Sequence, residues 1–401
     1  MKSGLGAGAL GVVGVLLAGC GADSSSAPSG SSSALPSSPS GSASQSSAPS
    51  GSAAPSSPSS PSSPSVAPVE DLGPLVPSGD PVPLASDLPA PWSIAVLADG
   101  TLFVSERDDA AIVEVVGSST SLVTSVGGVS PAGEGGLLGI ATLEDASGDW
   151  LYAYYTGASD NRVVRMPLSG GPGAHTVGDQ QVVIAGLPKA SNHNGGRIAF
   201  GPDGMLYATA GDASRGANAQ TLDSLGGKIL RVTPDGQIPS DNPFASAGSP
   251  VWSMGHRNPQ GIAWAADGTM WAAEFGQDTW DEMNRIVPGG NYGWPEVEGI
   301  AGAAGYIDPI QQWATDDASP SGIAVVGDTI FMAGLGGERL WTVGFDGAAQ
   351  EWYGGGQLGR IRDVVRGPGS SLYLVTNNTD GRGDPRAGDD RLYSVGLVAA
   401  G

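Results

Sequence analysis

The chain has 401 residues and a formal net charge of −22, with 18 basic residues against 40 acidic ones. That balance excludes nucleic acid and anionic lipid as electrostatic partners, because both carry the same sign as the protein. A single cysteine excludes an internal disulfide framework, and 65 glycines with 10 tryptophans point to many short strands joined by tight turns.

Residues 1–19 read as an export signal: Met1-Lys2, then Leu5, Leu10, Val12, Val13, Val15, Leu16 and Leu17 among small residues. The apolar run is about 17 residues, at the lower limit for crossing a bilayer, so a cleaved signal is favoured over a permanent span. Leu17-Ala18-Gly19-Cys20 resembles the lipobox of bacterial lipoproteins. The resemblance implies cleavage before Cys20, a diacylglyceryl group on its sulfur, and an extracytoplasmic protein held to the cell membrane by lipid alone. Residues 20–68 are almost wholly Ser, Ala, Pro and Gly, with Asp23 the only charge. Such a stretch has too little apolar surface to offset the entropy of ordering it, which predicts a disordered tether. The folded domain is expected over 69–401.

Within that domain an apolar strand, an Asp-Gly or equivalent turn and a second strand recur six times. The copies run over 93–105, 138–154, 197–209, 261–273, 322–333 and 363–375, and those with Asp203-Gly204 and Asp267-Gly268 match best. Glycine there supplies the positive φ a tight turn needs. The length and uneven spacing predict an all-β, six-bladed β-propeller with four-stranded antiparallel blades. A sandwich rarely needs this length, and a β-helix repeats on a shorter period.

Four segments bring uncommon polar residues to strand ends. In Ser191-Asn192-His193-Asn194-Gly195-Gly196-Arg197, His193 precedes an innermost strand, and Asp212 follows that strand's partner, so their side chains are expected to meet. An imidazole held by a carboxylate suits a general base near neutral pH. In the second segment Arg257, Asn258 and Gln260 provide directional donors for a polar, oxygenated ligand. In the third, Arg360 and Arg362 share one side of a strand. Arginines gathered at one channel mouth repel one another unless carboxylates of the protein, or a ligand with several carboxylates, sit between them. The fourth segment, residues 274–282, places carboxylates and loop carbonyls together as hard oxygen ligands suited to Ca²⁺.

The motifs H-N-G-G-R-I-A-F-G-P-D-G, G-H-R-N-P-Q-G-I-A-W, N-Y-G-W-P and R-I-R-D-V, in this order, resemble the glucose/sorbosone dehydrogenase family, the soluble quinoprotein aldose dehydrogenases. The resemblance covers the chain from about Pro91 onward. It implies oxidation of an aldose sugar at its anomeric carbon to the lactone, with pyrroloquinoline quinone (PQQ) and Ca²⁺ as cofactors and an extracytoplasmic electron acceptor. It makes His193 the base, Asp212 its orienting partner and Arg257 the cation facing the quinone oxygens. Glu134, Asn258, Gln260, Arg360 and Arg362 match cofactor-holding positions. The main-chain carbonyls of Gly276 and Gln277 match the cofactor calcium site, and Glu282 and Tyr292 match a second, structural calcium site. Two departures bear on cofactor binding: Glu134 stands where glucose-oxidising members have glutamine, and the stretch 334–338 lacks their lysine. These departures suggest a rival reading, a carbohydrate- or protein-binding propeller that has lost the cofactor. A calcium-dependent lactonase is a third, and it leaves the arginines without a role.

Overall fold

Each of the six repeated segments forms a hairpin whose first strand is the innermost of a separate antiparallel sheet. The computed structural model describes residues 72–145 and 148–401; the signal, Cys20 and the Ser/Pro-rich stretch lie outside the described residues. The innermost strands are Pro91–Val96, Leu137–Asp145, Ile198–Phe200, Pro259–Trp264, Pro320–Val326 and Ile361–Arg366. They touch one another in that cyclic order, the last meeting the first, which closes a six-bladed propeller around a central channel. Every blade has four strands in its main order, and the second carries an additional two-residue strand, Thr176–Val177. Among the described residues the helical elements are two short 3-10 turns.

The sheets bury both faces, so their strands are apolar on consecutive residues rather than alternating ones. Six apolar clusters result, one at each interface between neighbouring blades. The hairpin turns carry the expected chemistry: Gly204 and Gly268 have φ of +73° and +86°. Asp203 Oδ1 and Asp267 Oδ1 accept the Met205 and Thr269 amides at 3.1 and 2.8 Å. These turns all lie at one end of the channel, and the polar motifs all lie at the other.

The ring is closed by a strand with no counterpart in the repeat. Leu75–Ala85 pairs antiparallel with Leu392–Ala399 and becomes the outermost strand of the sixth blade. It begins at the turn end, where Ala400 N donates to Pro74 O at 2.9 Å.

One buried cation ties this frame to the site. Lys228, fully buried, donates through Nζ to the carbonyls of Asn218, Ala219 and Gly226 at 2.6, 3.0 and 2.8 Å, bracing the loop that follows Asp212. Replacing Lys228 with Met should leave three carbonyls short of a donor. We expect a loss of about 3 kcal/mol in chemical denaturation, the scale of losing buried charge-assisted hydrogen bonds.

Candidate active site

All three histidines pair with a carboxylate, but their settings differ. His256 Nδ1 meets Glu274 at 2.8 Å with the imidazole fully buried and stacked on Tyr292, so it is part of the frame. His175 meets Glu114 at 2.8 Å and approaches Asp99, a residue of a turn at the far end of the channel. His193 alone stands at the channel mouth, its Nδ1 2.7 Å from Asp212 Oδ1. The sequence between them is folded so as to bring them together. Gly195 has a φ of +64°, and a Cβ there would lie 2.6 Å from Thr209 O and 2.7 Å from Gly211 N, an approach that only glycine permits. Asn258 Oδ1 accepts the Gly195 amide at 3.0 Å and fixes the turn.

Asp212 is almost wholly buried and receives three donors: His193 Nδ1, Ser214 N at 2.7 Å and Trp294 Nε1 at 2.8 Å. A carboxylate accepts only, so the shared hydrogen sits on His193 Nδ1, and of the two neutral tautomers this selects the one whose Nε2 keeps its lone pair. That is the tautomer a general base requires. Trp294 belongs to the N-Y-G-W-P motif, but its part in holding Asp212 is not evident from the sequence.

Beside His193 lies a cavity of about 150 Å³ lined by Trp92, Glu134, Gln260, Phe275, Ser319, Leu335, Arg360, Arg362 and Arg382. Glu134 joins the two regions: Oε2 accepts the His193 amide at 2.9 Å, and Oε1 pairs with Arg382 at 3.2 Å. Gln260 Oε1 accepts from Arg362 at 2.9 Å. Burial pulls the Arg362 guanidinium down to about 9, a shift opposed by Asp380 and reinforced by Arg360 and Arg107.

The expected repulsion among arginines is relieved within the protein. Asp380 lies 3.3 Å from Arg360, 3.7 Å from Arg362 and 4.0 Å from Arg107. Asp380 and Arg382 come from a loop rich in Gly, Asp and Arg that carries no strand pattern, and sequence reasoning missed both. The missing lysine also has a local answer, because Arg382 brings a cation to the cavity from the sixth blade. The lining therefore carries three guanidiniums against one carboxylate, in a strongly acidic chain.

Arg257 stands on the other side of Asp212, its carbonyl accepting the Asp212 amide at 2.8 Å. Its guanidinium reaches Phe275 O at 3.3 Å and lies 5.5 Å from the Trp294 ring centroid. Among the described residues its buried Nε has no hydrogen-bond partner. The cluster thus has a cation with unused donor capacity as well as a cavity lined by guanidiniums, and such a setting fits a flat polyanionic cofactor.

The acidic segment divides between two settings. Glu274 and Glu282 come together and share the Asn284 amide, whereas Asp281 holds the amides of Gly276 and Ser319 and Asp278 is exposed beside Gln277. Among the described residues, no group of three or more His, Cys, Asp and Glu side chains could hold a metal ion. Hard oxygen donors are nonetheless concentrated nearby. Glu274, Glu282 and Tyr292 line a void of about 10 Å³ shared with Gly276, Arg257 and Glu298, whose Oε1 is already engaged by three main-chain amides. That is room for about one water-sized occupant. Burial, and then the neighbouring Glu274 charge, push Glu282 up to about 8. The donor chemistry fits a hard divalent cation, which would relieve the crowding of carboxylates.

The geometry defines a propeller with a base-competent histidine and a cationic cavity at one channel mouth. Residues 88–385 match the family model described as Glucose / Sorbosone dehydrogenase. The solved PQQ-bound form of aldose sugar dehydrogenase from Streptomyces coelicolor is 48% identical, with a TM-score of 0.76 over 80% of this chain and 100% of that one. Aldose sugar dehydrogenase YliI of Escherichia coli is 30% identical over 74% of this chain and 90% of its own length. Quinoprotein glucose dehydrogenase B of Acinetobacter calcoaceticus is 32% identical over 56% of this chain and 54% of its own. The chain belongs to the glucose/sorbosone dehydrogenase family.

The buried acids make stability depend on pH. Burial raises Asp281 to about 7 and Glu282 to about 8. Their unfolded values are near 4. A raised folded value means that the folded state holds the proton more tightly, so the contribution is complete at acid pH and is lost as pH rises through about 4 to 8. In chelator, the thermal midpoint should fall over that interval. Asp281→Asn should flatten the part below about 7, as melts recorded at successive pH values will show.

Proposed function

We propose that this protein is a PQQ- and Ca²⁺-dependent aldose sugar dehydrogenase that oxidises the anomeric carbon of a sugar to the lactone and passes the electrons to an extracytoplasmic acceptor. The observation that carries this reading is the sharing of Glu134 between the His193–Asp212 pair and a cavity lined by guanidiniums.

Arg360, Arg362, Gln260, Asn258 and Arg257 would hold the cofactor, with Glu134 at its edge. The main-chain carbonyls of Gly276 and Gln277 would face the cofactor calcium, and Glu282 and Tyr292 a structural one. Bound in this setting, PQQ supplies the electrophilic carbon that accepts the hydride from the sugar. His193 Nε2 takes the proton of the anomeric hydroxyl, and the Asp212 carboxylate stabilises the imidazolium that forms while keeping the ring in place. Arg257, whose Nε is unused, would stabilise negative charge on a bound anionic cofactor. Trp294 and Ser214 keep Asp212 from rotating, so the base does not have to reorganise as the proton moves. A lactonase would leave these guanidiniums without a task.

Protein stripped of metal and then given PQQ and Ca²⁺ should reduce an artificial electron acceptor with aldose sugars. His193→Ala should abolish turnover, and Asp212→Asn should lower kcat by about 10²–10⁴-fold, the worth of an oriented general base. A folded protein that binds PQQ saturably but turns over no aldose would refute the reading, and one that binds no PQQ would favour the non-catalytic propeller.

The same reading has residues 1–19 removed and Cys20 lipidated, which would tether the enzyme to the outer side of the cell membrane. Cys20→Ser should abolish incorporation of labelled fatty acid and release the protein from the membrane fraction. Label retained in that variant would overturn the anchoring.

A further inference from the structure

The loop after Glu274 is held by two carboxylates that the reaction itself does not use. Gly276 N donates to Asp281 Oδ1 at 2.9 Å. Glu298 Oε1 accepts three amides, from Gln277 at 2.7 Å, Trp280 at 3.2 Å and Thr279 at 3.4 Å. A trans peptide sets its N–H and C=O antiparallel, so pinning an amide fixes the direction of the preceding carbonyl. Pinning Gly276 N to Asp281 turns Phe275 O away from Asp281, and that carbonyl accepts from Arg257. Pinning Gln277 N to Glu298 likewise turns Gly276 O away from Glu298. The approach is tight, since a Cβ on Gly276 would lie 1.9 Å from Trp280 O and 2.5 Å from Glu298 Oε1.

Resting on the functional reading above, we propose that Glu298 is a positioning residue: by holding the Gln277 amide it aims the Gly276 carbonyl at the cofactor calcium without ligating the ion. Asp281 does the corresponding service for the carbonyl that steadies Arg257. The entropy of ordering an exposed loop is thereby met before the ion arrives, and a carbonyl, a weak ligand taken singly, is presented in a fixed direction. The assignment separates metal binding from quinone binding, because Glu298 acts on the carbonyl and not on the cavity that holds the arginines.

The test uses the full chain stripped with chelator. Ca²⁺ is titrated at fixed PQQ while the quinone absorbance is followed, Ca²⁺ alone is titrated by calorimetry, and the melting midpoint verifies folding. Glu298→Ala should raise the half-saturating Ca²⁺ concentration by about 10–100-fold, the usual effect of removing an outer-sphere support. PQQ affinity at saturating Ca²⁺ should return to within about threefold of the parent. Glu298→Gln keeps an oxygen for the Gln277 amide and should stay within about fivefold of the parent. An Ala variant with an unchanged Ca²⁺ requirement overturns the assignment, and so does a Gln variant as impaired as Ala, which would make Glu298 a ligand or a pure charge. Parent protein that takes up no PQQ overturns the functional reading and this assignment together; parent that binds while Ala matches it overturns this assignment alone.

Discussion

The arrangement at the channel mouth depends on one buried carboxylate having both of its oxygens engaged. Asp212 takes an imidazole, an indole and a main-chain donor, while its own amide is tied to Arg257. A buried carboxylate left short of donors is costly, and each of its partners comes from a different stretch of chain. His193 comes from the entry to the third blade, Trp294 from a loop of the fourth, and Arg257 from the junction between them. Satisfying Asp212 therefore holds three loops in register. The orientation of the base follows from this electrostatic requirement, since its Nδ1 is one of the donors that Asp212 takes.

Positive charge is the second constraint. The chain carries more than twice as many acidic as basic residues, yet Arg107, Arg360, Arg362 and Arg382 gather at one mouth of the channel. Burial works against the Arg362 guanidinium, and repulsion from Arg360 and Arg107 adds to it. Asp380 offsets much of this by standing among three of them, and Arg362 and Arg197 also lie over the face of Trp92 at 5.7 and 4.3 Å. Enough positive potential is retained to favour an anionic ligand, and enough is neutralised for the guanidiniums to share one mouth.

What could be read in the sequence follows from what repeats. Six hairpins share turn chemistry and apolar runs, so the blades are visible, and His193 and Asp212 sit at fixed offsets from one hairpin's two strands. The strand Leu75–Ala85 is not visible, because three internal prolines and Gly79-Asp80 argue against a strand. An outermost position tolerates them: its pairing slips between Ser78 and Val82, where the ladder has nothing further to bond. Asp380, Arg382 and Glu298 are likewise hidden, since they act from loops and over long sequence separations. The acidic segment is legible only in part, for the opposite reason. Its residues are adjacent in the chain, but alternation along a strand and a tight loop send Asp278 and Asp281 away from Glu274 and Glu282, which share the Asn284 amide.

The channel must also be closed behind the site, and the residue that closes it explains how a cavity is held open at the front. Arg197 reaches from the third blade across the axis, donating to Ser93 Oγ and Asp363 Oδ2 through Nη1 and to Gln260 O through Nε, at 2.9, 2.8 and 2.9 Å. It is buried, and desolvation lowers its proton affinity while Asp363 restores part of it. Gln260 is consequently fixed at both ends, its carbonyl by Arg197 and its side-chain oxygen by Arg362. Four blades thus meet at one guanidinium. Ring closure by apolar clusters between blades would leave the axis hollow, so a polar crosspiece is needed to give the cavity a floor. The cost of burying that crosspiece is met by the same hydrogen bonds that orient Gln260 toward the cavity.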